Sequence, residues 1–407
     1  MRSVDEQLAR ILAAAVRPSP VRVAIAEAQG LSCAEEVVAE RALPKADQAA
    51  VDGYAVRSVD VKHADTEPAV LPVAGDAAAG SRQSRRLQPG QAVHVGTGAP
   101  LPTLADAVVP VEDTEWGSDR ITVLRSVPSA AFVRREGDDV REGDVAVRRG
   151  TAIGPAQVAM LAAVGREKVL VQPKPRVSVI SLGDELVDPG GTPGTEQVYD
   201  VNSYALAAAA RDAGAEVTRV GIVGFDPKRL REVVEGRLLL SEIVVIAGGA
   251  GGSVGSRVRS CLSELGELDT ERVAMHPGSA QGFGLLGPDR VPTFLLPANP
   301  VSAFVGFEVL VRPIIRSALG KSNPHRRIIT AELVSPVSSM KGRRGFVRGR
   351  LLRDSEGGDY LVQPVGGSEE HLLAPLAEAN CLMTLDEEVS EATPGERLRV
   401  SFLSQRS

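Results

Sequence analysis

The sequence is poor in aromatic side chains and cysteines, and it has no long apolar run. Aromatic residues make up 3% of the 407 residues, which argues against stacking platforms for nucleic-acid bases. The three cysteines, Cys33, Cys261 and Cys381, lie far apart, so a reducing compartment is favoured over a disulfide framework. No apolar run approaches the roughly 18 residues of a membrane helix. These absences predict a cytoplasmic protein without direct membrane insertion.

Excess basic charge and zinc-binding histidine motifs are missing as well. The net charge is −6 and the pI is near 5.6, which argues against nucleic-acid binding. The five histidines show no His-Glu-x-x-His spacing, so no zinc site is predicted. The N-terminus lacks the apolar core of a signal peptide. The length of the chain predicts two to four domains.

The stretch from Arg176 to Leu310 has the clearest pattern. Apolar runs that each end in a glycine- or proline-rich turn alternate with segments of helical period. The runs start at Val177, Val217, Ile243 and Thr293, and the helices are predicted over Asn202–Gly214, Pro227–Leu239 and Val254–Leu265, the first with an Asn-Ser cap. This alternation predicts a parallel sheet covered by helices on both faces. Ligands bind beyond the carboxyl ends of such strands, where we expect a pocket.

The flanking segments predict further parts of a multidomain α/β plus β protein. An amphipathic helix with Ser3 as its cap is expected over Val4–Val16. Short β-like runs between Ala69 and Val127 predict a β-rich lobe. Alternating strands beyond Gly320 predict a small C-terminal β-barrel. Within them, the basic run from Lys341 to Arg350 is typical of a charged hairpin edge.

Two turns of the central stretch could carry chemistry. Asp184 and Glu185 follow a buried strand, where two carboxylates suit Mg²⁺; alternatively, Asp184 caps the turn and Glu185 is solvated. The turn from Gly248 to Ser253 leads into a helix, so its backbone amides suit an anion such as phosphate or molybdate. It lacks the Walker spacing, and a tight strand-to-helix turn is an equal alternative.

Taken together, six motifs in this order resemble one family. Each motif alone is typical of an ordinary turn or loop. They are Asp52-Gly53-Tyr54-Ala55, Gly96-Thr97-Gly98-Ala99-Pro100, Glu136-Gly137-Asp138-Asp139, Ser181-Leu182-Gly183-Asp184-Glu185-Leu186, Asp200-Val201-Asn202-Ser203 and Leu296-Pro297-Ala298-Asn299-Pro300-Val301-Ser302-Ala303. The combination, which covers essentially the whole chain, resembles the molybdopterin molybdotransferases, MoeA and the gephyrin E domain.

The resemblance implies an architecture and an activity. It implies a homodimer with active sites shared between subunits, which inserts molybdate into adenylylated molybdopterin with Mg²⁺ and releases AMP. It implies four domains: an elongated, dimer-forming domain I (1–45 and 145–174), a β-rich domain II (46–144), a MogA-like three-layer α/β domain III that binds molybdopterin (175–325) and a β-barrel domain IV (326–407).

By position, Asp52, Thr97, Asp139, Asp184 and Glu185 match functional residues of the family, and with the turns described above they complete the predicted site. Catalytic roles fall on Asp52, Thr97 and Glu185. Metal binding falls on Glu185, Asp184 and Asp226. Substrate or cofactor binding falls on Gly183, Asp184, Gly248, Gly249, Ser253, Pro297, Asn299, Pro300 and Asp139.

Several positions depart from the family pattern. An acid of the family is replaced by Ser256, or by Val258 in another alignment of the turn. The Lys-Pro-Gly-Lys-Pro motif reads His276-Pro277-Gly278-Ser279-Ala280, which removes two cations that would contact an anionic substrate. Phe225 replaces an acid and Ala298 replaces a glycine. These changes predict a degenerate active site.

The departures resemble those of the actinobacterial gephyrin-like branch, Glp. There the resemblance implies a different function, a non-enzymatic dimeric scaffold that binds the C-terminal tail of the division protein FtsZ. Such a protein would be recruited to the division site through its partner. The edge near Gly345–Leu352 is the expected wall of a peptide groove. Enzyme and scaffold are therefore the two functional hypotheses.

Overall fold

The computed structural model describes residues 1–80, 86–116, 119–321, 323–353, 358–366 and 372–403. These residues form two compact units. The inserted unit is Val21–Val171, and the main unit combines Met1–Pro20 with Gln172–Ser407. The boundaries of the four expected domains stay a prediction. Within the described ranges, no helix is long and apolar enough to cross a membrane.

The predicted helices are present, with ends that shift by up to three residues. Ser3 caps the first helix in a capping box with Glu6. The last long helix contains one π-helical turn, Phe307–Val311. The α-helices are Val4–Ala13, Pro155–Ala163, Asn202–Ala213, Pro227–Leu238, Gly252–Leu262, Pro300–Gly306, Arg312–Ala318 and Leu373–Glu378.

The inserted unit is rich in short strands, as predicted for the β-rich lobe. Its largest sheet has six strands and encloses Tyr54, Ile121 and Val123. Its strands are Val21–Ala24, Ser32–Cys33, Val37–Val38, Gln48–Ala49, Gly53–Val56, Ala69–Ala77, Ala92–Val95, Ala107–Pro110, Thr114–Trp116, Arg120–Val123, Val133–Arg134, Val145–Val147 and Lys168–Gln172.

The strands of the main unit form a central sheet, a barrel and small pairs. In chain order they are Arg176–Leu182, Leu186–Val187, Val198–Tyr199, Glu216–Val223, Ile243–Ala247, Leu268–Asp269, Met275–His276, Gly282–Leu286, Val291–Leu296, Ile328–Leu333, Val337–Ser338, Arg344–Arg353, Tyr360–Pro364, Cys381–Leu385, Glu391–Ala392 and Arg397–Phe402.

The central sheet has six strands, four of them parallel. Arg176–Leu182 lies between Glu216–Val223 and Ile243–Ala247, and Val291–Leu296 follows Ile243–Ala247. The sequence predicted these four strands. It did not predict the fifth strand, Gly282–Leu286, which is antiparallel to Val291–Leu296, or the short sixth strand, Leu268–Asp269, which is antiparallel to the fifth. The sheet is therefore mixed at one edge.

Helices cover both faces of this sheet, which confirms the three-layer prediction. Along Ile243–Ala247, alternate side chains enter two different apolar clusters. One cluster contains Asn202–Ala213 and the other contains Pro227–Leu238 and Gly252–Leu262. The strands are apolar on both faces because both faces are buried.

The cap of the helix Asn202–Ala213 differs from the prediction. The backbone N–H of Ser203 donates to Asp200 Oδ1 at 3.0 Å, and the Asn202 side chain does not cap the helix. Asp200, which lies two residues before the helix, therefore accepts a hydrogen bond from a backbone N–H of the first helical turn. The C-terminus is as predicted, because Gly214 adopts a left-handed conformation, φ +102°.

The C-terminal strands close into the predicted barrel. Arg344–Arg353 pairs with Tyr360–Pro364 on one side and with Cys381–Leu385 on the other. The basic run is thus an internal strand and not the hairpin edge that its charges suggested. At its start, Arg344 and Gly345 also pair with Met275 and His276, which precede the barrel in the chain.

Candidate active site

A cavity lies where the connections of the central sheet change direction. The chain leaves Arg176–Leu182 toward Glu216–Val223 but leaves the neighbouring strand, Ile243–Ala247, toward the other edge. Such a switch point opens a crevice between the carboxyl ends of the two strands. The cavity there measures about 390 Å³. It is lined by Leu182, Glu185, Leu186, Val198, Tyr199, Val201, Asn202, Ala247, Gly248, Ala298, Asn299 and Pro300.

Gly248 lets the two strand ends approach each other. Its φ is +84°, and a Cβ atom at this position would lie 2.3 Å from the Leu182 carbonyl oxygen. Its N–H donates to the Leu296 carbonyl at 3.0 Å, so it also ties in the next strand. A side chain at this position is therefore incompatible with the observed cavity wall.

The turn after the fourth parallel strand forms another wall. Asn299 caps the following helix, since its Oδ1 accepts from the N–H groups of Val301 at 3.0 Å and Ser302 at 3.1 Å. Asn202 Nδ2 donates to the Ala298 carbonyl oxygen at 2.7 Å. Asn202 thus joins two walls, a role that the motif Asp200-Val201-Asn202-Ser203 did not reveal because it depends on a residue far along the chain.

A buried carboxylate supports the loop that carries Glu185. The side chain of Asp200 is fully buried and accepts from the Ser181 hydroxyl at 2.6 Å and from the Ser203 hydroxyl. Arg219 donates to Ser203 Oγ and to Asp188, both at 3.2 Å. These bonds connect the start and the end of the loop to the sheet.

Asp184 connects two strand ends. Its Oδ1 accepts from the Phe225 N–H at 3.0 Å, and a Cβ atom on Gly224 would lie 2.6 Å from the same oxygen. The Phe225 N–H is thus the observed partner of Asp184, and metal binding by Asp184 stays a prediction. Gly183, which precedes it, is buried directly after the end of the strand.

Glu185 is one of the residues that line the cavity, and its carboxylate lies over Gly183. Both carboxylate oxygens would lie 2.7 Å from a Cβ atom on Gly183, so the side chain folds back over that glycine. Its carbonyl oxygen accepts from the Val198 N–H at 2.9 Å, which fixes the backbone. The side chain is exposed, and no described residue donates a hydrogen bond to it.

The three predicted metal ligands do not form a metal site by themselves. Asp226 caps the helix Pro227–Leu238, because its Oδ1 accepts from Lys228 N–H at 2.9 Å. One oxygen of Asp184 is engaged as well. Across the described ranges, no three His, Cys, Asp or Glu side chains are placed to hold a metal ion. Binding of Mg²⁺ therefore stays a prediction.

The glycine turn leads into a helix with an exposed first turn. Gly251 and Gly252 have φ of +90° and +54°, and the helix Gly252–Leu262 follows. Ser253 and Ser256 are exposed, whereas Val258 is 1% exposed in the core. The surface position that the missing acid would occupy is therefore Ser256. Gly249 and Pro297 flank the cavity in sequence without lining it.

The other substituted positions lie in tighter surroundings than expected. Ser279 is 8% exposed, and its hydroxyl has no partner among the described residues. The ring of Phe225 lies 5.4 Å from the Arg257 guanidinium, so it makes a cation–π contact in place of a carboxylate. Ser279 is therefore a buried position rather than an open substrate contact in this chain.

In the inserted unit, the structure brings Asp52 and Thr97 together. Asp52 Oδ1 accepts from the Thr97 N–H at 2.6 Å and from its hydroxyl at 2.7 Å. These two hydrogen bonds hold the pKa of the Asp52 carboxyl below its usual value. The sequence predicted both residues but not their contact, which depends on pairing of Gly53 with Val95.

Asp139 lies apart from this pair. It lines a second cavity of about 720 Å³ in the inserted unit, together with Arg41, Lys45 and Arg134. Neither Asp52 nor Thr97 lines that cavity. The structure thus divides the predicted residues of the inserted unit into two groups.

Family models match most of the chain. The MoeA N-terminal region (domain I and II) matches residues 2–165. The probable molybdopterin binding domain matches residues 178–317 and contains every residue that lines the cavity at the switch point. The MoeA C-terminal region (domain IV) matches residues 330–403.

Similar proteins span the same length. The chain is 61% identical to molybdopterin molybdenumtransferase 1 of Mycobacterium tuberculosis H37Rv, with 100% of both chains covered. It is 30% identical to molybdopterin molybdenumtransferase of Haemophilus influenzae, over 92% of this chain and 91% of that protein. A crystal structure of a molybdopterin biosynthesis MoeA protein from Pyrococcus horikosii superposes with a TM-score of 0.84 at 32% identity, covering 99% of both chains.

Proposed function

Because the chain belongs to the MoeA family of molybdopterin molybdenumtransferases, we propose that it inserts molybdate into adenylylated molybdopterin and releases AMP. The supporting observation is the cavity at the switch point, which lies within the region that matches a probable molybdopterin binding domain. Its volume is in the range of small-molecule sites, and its walls are mostly apolar, which suits a flat pterin ring.

The exposed turns supply groups for the charged parts of the substrate. Backbone amides at the start of the helix Gly252–Leu262, with the Ser253 hydroxyl beside them, suit a phosphate group or molybdate. Asp52 stays ionised through its bonds from Thr97, so the inserted unit contributes a carboxylate of fixed orientation. We assign Asp52 and Thr97 to catalysis on this basis and on the family resemblance.

Measuring AMP release from adenylylated molybdopterin and molybdate tests the activity. Asp52→Asn keeps the size of the side chain but removes its charge, and we expect turnover to fall by about a hundredfold or more. Thr97→Val removes the hydroxyl bond, whereas Thr97→Ser keeps it and serves as the matched control. Lack of AMP release by the natural chain would refute the proposal.

We also propose a homodimer whose active sites combine the inserted unit of one subunit with the main unit of the other. Asp52 and Thr97 lie in the inserted unit, whereas Glu185 lies in the main unit, which is compatible with such sharing. Mixing inactive Asp52→Asn and Glu185→Gln proteins then restores up to about a quarter of the natural activity, because half of all dimers contain one subunit of each kind and each of these has one intact site of two. Sites built within one subunit would give no recovery.

The alternative proposal is a peptide-binding scaffold, in which a peptide would contact the face of the strand Arg344–Arg353, because both edges of that strand are paired. A groove of about 280 Å³ in the main unit is lined by residues including Leu8, Val309, Arg344 and Phe346, at the start of the strand that the sequence proposed as a peptide-binding wall. If the site is too degenerate to act, this groove is the candidate for the FtsZ tail and for recruitment to the division site. Titration with the FtsZ C-terminal peptide, beside the AMP assay, separates the two functions.

A further inference from the structure

Glu185 is the single charged side chain among the residues that line the cavity at the switch point. The other lining side chains are apolar, apart from the tyrosine hydroxyl of Tyr199 and the amides of Asn202 and Asn299. A lone carboxylate in such a wall favours a ligand that presents hydrogen-bond donors, because a ligand that displaces the water around the carboxylate must replace those hydrogen bonds.

The carboxylate of Glu185 is available for such a ligand. The two acids near it in sequence, Asp184 and Asp226, accept backbone N–H groups, but no described residue donates to Glu185. Its backbone is fixed by Val198, so the carboxylate projects from a defined point of the wall. The neighbouring acids shape the turns, and of the three only Glu185 lines the cavity.

A pterin presents a matching edge. Its pyrimidinone ring carries an N–H next to an exocyclic amino group, so two donors point in the same direction. Two parallel N–H···O bonds to one carboxylate form the bidentate geometry that an arginine also uses, and such charge-assisted pairs are strong and directional. We propose that Glu185 recognises the pterin part of the substrate through this edge and sets its orientation in the cavity.

This inference rests on the proposed function for the identity of the ligand, and it gives Glu185 a different role from metal binding. Mg²⁺ takes an octahedron of oxygen ligands, of which one or two are usually carboxylates and the rest come from water and substrate phosphates. The cavity wall supplies one carboxylate, and no three acids in the described ranges converge on a common point. A two-donor ligand edge needs one carboxylate only.

Binding of two small ligands tests the proposal without turnover. The probes are pterin and lumazine, which carries a carbonyl in place of the amino group and therefore presents an acceptor where pterin presents a donor. We expect the natural chain to bind pterin about tenfold to a hundredfold more tightly than lumazine. Fluorescence of each free ligand, titrated with the full-length protein, gives both dissociation constants.

Glu185→Gln provides the decisive comparison. The glutamine amide offers one acceptor and one donor, which fits the N–H and carbonyl of lumazine and not the two donors of pterin. The ratio of the lumazine dissociation constant to the pterin dissociation constant should therefore fall to about one or below. Glu185→Asp keeps the carboxylate and should keep the order of preference with weaker binding. Glu196→Gln, which changes an exposed carboxylate of the same loop outside the cavity wall, should leave both constants unchanged.

An unchanged preference in Glu185→Gln overturns the proposal, as does an equal loss for both ligands. These results remain distinct from a failure of the proposed function. If the natural chain releases AMP but Glu185→Gln keeps its preference for pterin, the enzyme assignment stands and the role of Glu185 falls. If AMP release is absent but the preference shifts as expected, the role of Glu185 in pterin recognition is supported and the proposed enzymatic activity is refuted.

Discussion

Asn202 Nδ2 donates a hydrogen bond of 2.7 Å to the Ala298 carbonyl oxygen, which lies 96 residues further along the chain. The bond joins the start of one helix to the turn before another, and both residues line the same cavity. The distance between these two walls therefore depends on one side chain.

Removing this bond should weaken ligand binding in the cavity more than it lowers the stability of the fold. For Asn202→Ala we expect pterin binding to weaken about fivefold to tenfold, because one hydrogen bond is worth about 1 kcal/mol. Asn202→Asp should be at least as harmful, since a carboxylate repels the Ala298 carbonyl. Ligand titration and the melting temperature, measured together, separate the two effects. A large fall in melting temperature with unchanged affinity would contradict the expectation.

Gly248 should tolerate no side chain. Gly248→Ala places a Cβ atom 2.3 Å from the Leu182 carbonyl oxygen in a backbone conformation with φ +84°. We expect a loss of about 2–4 kcal/mol in the free energy of unfolding. Gly236→Ala is the matched control, because that helical glycine has no atom within 4 Å of its added Cβ. There we expect a gain of up to about 1 kcal/mol, and urea denaturation measures both.

Substitution by aspartate should affect the free energy of unfolding very differently at two positions of one helix. Ser256→Asp changes an exposed residue, so stability should stay within about 0.5 kcal/mol of the natural chain. Val258→Asp buries a charge in the core and should cost about 3 kcal/mol or more. If the site is degenerate through loss of the family acid, only Ser256→Asp should raise AMP release. No gain from this change would place the cause elsewhere.

Ser279→Lys is expected to lower stability. The serine is 8% exposed, so an ammonium group there loses hydration unless its long stem reaches the surface. We expect a lower melting temperature than for Ser279→Ala, which only removes a hydroxyl that no described residue bonds. Equal melting temperatures for the two variants would show that the lysine reaches solvent, and its effect on AMP release could then be interpreted directly.

At low pH, protonation of Asp269 should weaken the attachment of the N-terminal helix to the rest of the main unit. Burial raises the pKa of this carboxyl, but the Glu271 N–H and the guanidinium groups of Arg2 and Arg10 outweigh that effect and lower the pKa to about 2. A lowered pKa stabilises the fold above the unfolded value, and this contribution is lost as the pH falls from about 4 to about 2. Urea midpoints across this range should fall more steeply for the natural chain than for Asp269→Asn. Identical slopes would exclude this ion cluster as the acid-sensitive element.

The local pattern was sufficient for the central strands and helices. Ile243–Ala247 is a continuous apolar run because both of its faces are buried, and such a run can be recognised without knowing its partners. Gly282–Leu286 was missed because its glycines weaken the strand signal, and its place depends on pairing with Val291–Leu296.

Partners across the chain explain what the sequence could not predict about the site. Asp184 could be assigned to a turn or to a metal, and only the N–H of Phe225, 41 residues away, decides its observed contact. Asp200 was part of a recognised motif, yet its burial and its bond to Ser181 follow from the packing of a strand against a loop. The residue types were visible in the sequence, whereas their contacts depended on the tertiary fold.

The pairing of Met275 and His276 with Arg344 and Gly345 has a consequence for the stability of the barrel. The start of the barrel strand Arg344–Arg353 pairs with a short strand that comes much earlier in the chain. Its hydrogen bonds are therefore not all made within the C-terminal strands. The barrel therefore shares backbone hydrogen bonds with the chain that precedes it. Separating the two parts would break this pairing, so the barrel alone should be less stable than the barrel in the full chain.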